Sequence, residues 1–174
     1  MVVSMKAILI SIKPKYVAKI LNGEKTLELR KTMPKCDLPI DVYIYCTKDK
    51  PYLANATEIF TGKYSCISND DVSYKEHNLN GKVVAKFTLN KVEKFDSSSF
   101  ADVSKKTCIL NPHTCETTSS CLSYKEIRDY CKGKLGYAWH IGKLVIFDKP
   151  RLLQPYFDLD KAPQSWCYIE ETSV

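Results

Sequence analysis

Hydrophobic and polar residues alternate along several short stretches of the chain, which is the pattern of half-buried β-strands. Other stretches are continuous apolar runs rich in β-branched residues, which predict fully buried strands. In one stretch the alternation shifts at Gly142, and this predicts a bulge or bend, or a break into two strands. The predicted strands cover residues 6–12, 25–31, 41–46, 81–95, 135–147 and 163–169.

Two segments have helical signals instead. The first begins with Pro14, has an apolar stripe at helical spacing and ends near Gly23. The second begins with a Ser-x-x-Glu capping box at Ser123 and extends to about Cys131. Because regular helices do not separate the strands, a doubly wound α/β sheet is unfavourable. We predict an α+β fold that is mainly β, a small closed or half-closed barrel with one or two helices.

Length and composition limit the possible classes of protein. The chain has 174 residues, of which 44% are hydrophobic and 26% charged, so it can bury a core as a single domain over residues 1–174. No apolar run approaches the ~20 residues that a bilayer-spanning helix needs, so we expect no membrane contact. The first residues lack a signal-peptide pattern, and we therefore expect a cytoplasmic protein.

The charge balance changes this picture only slightly. Lys and Arg number 26 and Asp and Glu 20, which gives a net charge of +6. A mildly basic chain weakly indicates an anionic partner such as a nucleic acid. A surface with surplus lysines explains the count equally well.

The eight cysteines predict free thiols rather than a disulfide framework, because a chain of this length needs no covalent staples. One loop carries a cluster that zinc binding would have to use: Cys108, His113, Cys115 and Cys121. The cluster has no Cys-x2-Cys pair, the spacing that structural zinc sites usually show. We therefore expect no metal and no cofactor.

The segment of greatest chemical interest contains Lys25, Glu28 and Arg30. Glu28 and Arg30 fall on one face of the predicted strand, and Leu27 and Leu29 fall on the other. One interpretation is a solvent-facing strand that carries an ordinary Arg–Glu pair. The other is a polar cleft, in which Lys25 and Arg30 hold an anion or a carbonyl and Glu28 orients Arg30 or accepts from a base amino group.

Three segments in order resemble the ASCH domain family of the PUA-like superfamily. They are Ser-Ile-Lys-Pro at 11–14 with the Gly-x-Lys-x-x-Glu-x-Arg motif at 23–30, Gly-Tyr-Ala-Trp-His-Ile at 136–141, and Pro-Gln-Ser-Trp-Cys-Tyr at 163–168. The second and third are similar to ASCH proteins of phages and Firmicutes. The resemblance covers residues 5–95 and 122–170, with insertions at about 52–80 and 96–121.

The resemblance implies a PUA-like β-barrel and RNA binding in a cleft beside the first helix, lined by Lys25, Glu28 and Arg30. Some members of the family are enzymes. One branch hydrolyses N4-acetylcytidine with the motif lysine, a threonine three residues later and a distant glutamate. Here Glu28 occupies the threonine position, which argues against that activity. Ribonuclease activity is also associated with the family, but no residue set for it can be assigned in this chain.

Our first hypothesis is therefore a module that binds RNA or a nucleotide in a basic cleft, with affinity that falls as salt rises. The ligand-binding residues it predicts are Lys13, Lys25, Glu28, Arg30, Tyr45, Tyr137 and Trp139, the aromatic ones as stacking partners. The second hypothesis is a hydrolase of RNA or a modified nucleoside, with Lys25 as base and Glu28 as acid or base. The third is a protein-interaction module whose cleft is not catalytic.

Overall fold

The structure is a computed structural model, and it describes residues 5–55, 64–67, 78–99 and 120–171. Strands outnumber helices, so the predicted α+β, mainly β class is confirmed. The elements in chain order are β1 (Met5–Ile12), α1 (Pro14–Leu21), β2 (Leu27–Arg30), β3 (Ile40–Cys46), β4 (Tyr52–Asn55), β5 (Tyr64–Ile67), β6 (Val83–Asp96), α2 (Tyr124–Cys131), β7 (Leu135–Arg151), α3 (Leu153–Tyr156) and β8 (Trp166–Glu171).

The residues fall into two compact units, and β6 and β7 each contribute to both. The first unit comprises Met1–Asn22, Ile40–Thr88 and Lys143–Val174. In it, β3 lies between β6 and β1, and β1 also pairs with β8. The β1–β3 pairing is parallel and the β1–β8 pairing is antiparallel. The strand faces bury a core that includes Ala7, Leu9, Tyr43, Val83 and Ile169.

The second unit comprises Gly23–Pro39 and Leu89–Gly142. Here β7 lies between β2 and β6, and its pairing with β2 is antiparallel. Ser123 caps α2 with the predicted capping box, so the local sequence signal is confirmed. The helix packs on a core of Leu27, Leu29, Phe95, Ile127, Cys131 and Ala138.

The predicted barrel is not confirmed. Among the described residues, the strand ladder ends at β2 on one side and at β8 on the other, and it does not close. Alternation along a strand determines which side chains share a face, but not which strands become neighbours. Closure therefore depends on pairings that the pattern does not encode.

Three short elements were not predicted. The hairpin of β4 and β5 lies within residues 52–80, which the sequence indicated as loop, and α3 follows β7 directly. The predicted insertions at 52–80 and 96–121 contain residues outside the described ranges. Insertions and a single domain over residues 1–174 remain predictions.

No helix within residues 5–55, 64–67, 78–99 or 120–171 has the length and apolar character needed to cross a bilayer.

Candidate functional site

Strand β2 is buried on both of its faces. Leu27 and Leu29 belong to the core of the second unit, as the alternation predicts. Glu28 and Arg30 are each only 7% exposed. The interpretation of this strand as solvent-facing is therefore wrong, and the polar face is enclosed by protein.

The buried polar face is organised around Glu28. One oxygen of its carboxylate, Oε2, lies 3.3 Å from Lys25 Nζ, and the other, Oε1, lies 2.9 Å from Arg30 Nη2. Lys25 precedes β2 rather than beginning it, since the strand starts at Leu27. We name Lys25, Glu28 and Arg30 the charged triad.

Lys25 is held by more than Glu28. Its Nζ donates hydrogen bonds to the carbonyl oxygens of Leu27, at 2.7 Å, and Ser120, at 2.6 Å. Together with Glu28 these acceptors match the three N–H donors of a lysine ammonium. The side chain is 2% exposed, so Lys25 is fixed as a buried cation.

The antiparallel register places two of the predicted aromatic residues on the face of the triad. Trp139 is opposite Glu28, and Tyr137 is opposite Arg30. The Trp139 ring is completely buried, and its Nε1 donates to the carbonyl oxygen of Thr32 at 3.2 Å. Tyr137 is half-buried. Their role in stacking remains a prediction.

Sequence reasoning missed Tyr130, which lies on α2 and is 37% exposed. Its hydroxyl lies near the charges of Arg30 and Glu28. Burial raises the pKa of Tyr130, and the charge of Arg30 opposes that shift. Lys31 Nζ lies 4.9 Å from the centre of the ring. The helical period offered a signal, because Tyr130 lies beside the core positions Ile127 and Cys131 and so falls at the edge of the buried stripe.

The remaining predicted ligand residues, Lys13 and Tyr45, belong to the first unit. Lys13 is exposed, and its carbonyl oxygen accepts the first hydrogen bonds of α1. Tyr45 is 5% exposed, and burial raises its pKa. Their participation in the same site as the triad remains a prediction.

A second polar cluster in the second unit contains His140, whose Nε2 is hydrogen-bonded to Glu93. Glu93 also pairs with Lys91 at 2.8 Å. Although burial raises the pKa of Glu93, its hydrogen bonds with Lys91 and His140 lower it overall. His140 therefore has a charged partner within the second unit.

No group of three or more potential metal ligands occurs within the described ranges. Three of the clustered residues, Cys108, His113 and Cys115, lie outside those ranges, so the absence of zinc remains a prediction. The fourth, Cys121, donates a hydrogen bond from Sγ to the carbonyl oxygen of Glu24 at 3.4 Å.

The first unit contains a cavity of about 60 Å³, lined mostly by apolar side chains such as Leu21, Leu79 and Val84, with Asp148 at one side. Small-molecule sites in proteins typically enclose ~300–1,000 Å³. The cavity is too small for a nucleotide, so the charged triad is the stronger candidate site.

Solved structures of ASCH proteins from Zymomonas mobilis have the same fold as this chain. The ASCH protein itself matches with 18% identity and a TM-score of 0.59, over 93% of this chain and 86% of that one. A tyrosine-to-phenylalanine variant matches over 94% and 90%, with 18% identity and a TM-score of 0.59. A serine-to-alanine variant has 17% identity, coverages of 93% and 87% and a TM-score of 0.59.

The ASCH resemblance is therefore confirmed for the fold. No protein-family model matches the chain, and no curated protein matches it. The similarity to phage and Firmicute members in particular remains a prediction.

Proposed function

We propose that this chain binds RNA or a nucleotide through the charged triad of Lys25, Glu28 and Arg30. The observation that carries the proposal is the pair of ion pairs at Glu28, whose two carboxylate oxygens contact Lys25 and Arg30. An arginine oriented in this way presents a planar set of donors, suited to a phosphate or to the carbonyl of a base. RNA binding is also what the ASCH resemblance implies.

Binding fits the triad better than hydrolysis with Lys25 as the base. A base needs a free lone pair, whereas the Lys25 ammonium directs hydrogen bonds at three acceptors. Glu28 is the anion of two ion pairs and has no proton to give to a leaving group. Both residues are thus suited to holding charge in place rather than to moving protons.

The finer features of the proposal come from the sequence. They are a PUA-like barrel with a cleft beside its first helix, charge from Lys13, aromatic contacts from Tyr45, Tyr137 and Trp139, and a cytoplasmic location. Lys13 is exposed and Tyr137 is half-buried, which supports their access to a ligand.

The test is fluorescence anisotropy with a labelled single-stranded RNA of mixed sequence. Arg30→Lys keeps the positive charge but loses the planar donor set, and we expect it to weaken binding by on the order of ten-fold. Lys94→Gln removes a charge from an exposed position of the same unit and is the matched control, expected to bind like the native protein.

Two results would count against the proposal. Absence of RNA and nucleotide binding by the native protein would favour the interaction-module hypothesis. Native affinity in Arg30→Lys would place the binding site elsewhere. The same samples are analysed for cleavage products of the RNA, and N4-acetylcytidine is tested as a second substrate. If the native protein turns over either substrate and Lys25→Gln does not, the hydrolase hypothesis is favoured instead.

A further inference from the structure

We propose that Tyr130 stacks on an unpaired base of the ligand, so that the site takes single-stranded RNA rather than a bare phosphate group. This inference rests on the proposed function, since it assigns the ligand class of the same site. It starts from a residue that the ASCH motif at 23–30 does not include.

Tyr130 connects the buried triad with solvent. Arg30 is 7% exposed, whereas Tyr130, whose hydroxyl lies near the charge of Arg30 and whose ring lies under Lys31 Nζ, is 37% exposed. A ligand that approaches Arg30 from solvent therefore meets the tyrosine ring beside it. The ring is amphipathic and has only two rotatable bonds, so ordering it on a ligand costs little conformational entropy.

Helix α2 holds the ring in place. The capping box at Ser123 fixes the start of the helix, and Ile127 and Cys131 anchor it in the core on either side of Tyr130. The ring thus projects from a rigid element next to Arg30, and rigid placement of this kind favours precise recognition.

Lys31 places an exposed positive charge beside the Tyr130 ring. Its side chain is exposed, and its Nζ lies over the Tyr130 ring at 4.9 Å from the centre. Proteins that bind single-stranded nucleic acids combine an aromatic ring with a nearby exposed cation. The base stacks on the ring and the phosphate contacts the cation. Every base has a π-face, so stacking alone predicts broad tolerance of sequence.

A purely structural role makes a different prediction. If Tyr130 only covers Arg30, its loss weakens every ligand of the triad equally, whether or not the ligand has bases. Stacking instead requires that the loss depend on the base. The two roles are therefore separated by comparing RNA with an oligomer of the same length and charge that has abasic sugars.

The experiment measures both oligomers by anisotropy against native protein, Tyr130→Leu, Tyr130→Phe and Tyr156→Leu. Tyr156 is a 55% exposed tyrosine of the first unit and is the matched control. We expect Tyr130→Leu to weaken RNA binding by on the order of ten-fold while leaving the abasic oligomer unchanged. Tyr130→Phe keeps the ring and should retain most of the affinity, and Tyr156→Leu should bind both oligomers as the native protein does.

A measurement on the native protein keeps the test independent of variant folding. RNA that carries 2-aminopurine loses fluorescence when that base stacks, and we expect quenching on binding by native protein and by Tyr130→Phe. Equal losses for both oligomers in Tyr130→Leu, no loss for either, or unquenched 2-aminopurine would overturn the stacking role while leaving the proposed function intact. Failure of the native protein to bind either oligomer or a free nucleotide would remove both proposals.

Discussion

Glu28 keeps two cations close together in a place with little water. A carboxylate on a buried strand is stable only if its charge is compensated, and Lys25 and Arg30 provide that compensation at 3.3 and 2.9 Å. The three groups therefore depend on one another, because the loss of one leaves the others partly uncompensated.

This dependence predicts a large effect of Arg30→Ala on stability. Breaking a buried ion pair by removing one partner typically costs about 3–5 kcal/mol, so we expect a loss of this order in the free energy of unfolding. Lys94→Ala, at an exposed position, should change it by less than about 0.5 kcal/mol. Urea denaturation followed by circular dichroism measures both. A value for Arg30→Ala as small as that of the control would mean that the triad is hydrated in solution.

The sequence predicted which residues share a face of β2, but not that both faces are buried. Alternation is a local property, and it correctly separated Leu27 and Leu29 from Glu28 and Arg30. The neighbours of these charged residues come from distant parts of the chain: Trp139 of β7 is paired with Glu28, and Tyr130 of α2 lies near the charges of Glu28 and Arg30. The helical period places Tyr130 at the edge of the buried stripe of α2, but it does not specify which distant residues lie beside it, and for this reason Tyr130 was missed.

The core around Gly136 of β7 is packed too closely to admit a side chain. A Cβ atom built on this glycine would lie 2.4 Å from Phe95 Cζ and 2.9 Å from Cys131 Sγ. Both neighbours belong to the core of the second unit and have little room to move. The absence of a side chain at this position is therefore what leaves room for the Phe95 ring of β6 and the Cys131 thiol of α2.

We expect Gly136→Ala to destabilise the protein by about 1–3 kcal/mol, the usual cost of overpacking a core. Thermal unfolding of this variant, compared with Leu135→Ala at the neighbouring 46% exposed position, provides the measurement and its control. If alanine at 136 left the midpoint of unfolding unchanged, the Phe95 ring and the Cys131 thiol would have to lie farther from Gly136 than the structure has them.

The same contrast between local and distant signals separates the elements that were predicted from those that were not. The capping box and its helix α2 were predicted because the hydrogen bonds that define them join residues three apart. The hairpin of β4 and β5 was missed because a four-residue strand is too short to show a clear alternation. The two strands are defined by their pairing with each other, which the sequence pattern does not show. Barrel closure likewise depends on whether the outer strands β2 and β8 find further partners, and such pairings join residues that are far apart in the sequence.

The fold and the function of this chain rest on different observations. The fold is shared with ASCH proteins at 18% identity, which shows that very different side chains satisfy the same strand order. A shared fold does not transfer an activity, so the function has to be argued from the site. The proposed function rests on the buried charged triad, on the exposed Tyr130 and on the net charge of +6.

Binding of a polyanion by a basic chain has a measurable signature in its salt dependence. For single-stranded nucleic acids, the logarithm of the affinity falls with the logarithm of salt concentration by about 0.7 for each phosphate that is neutralised. If Lys31 contacts a phosphate, Lys31→Gln should make this slope shallower by about 0.7, whereas Lys94→Gln, an equal change of charge, should leave it unaltered. Anisotropy titrations over a series of potassium chloride concentrations measure the slopes. Equal slopes for native protein and Lys31→Gln would mean that Lys31 makes no phosphate contact. A native affinity independent of salt would mean that the chain recognises an uncharged ligand, because counterion release accompanies every phosphate contact.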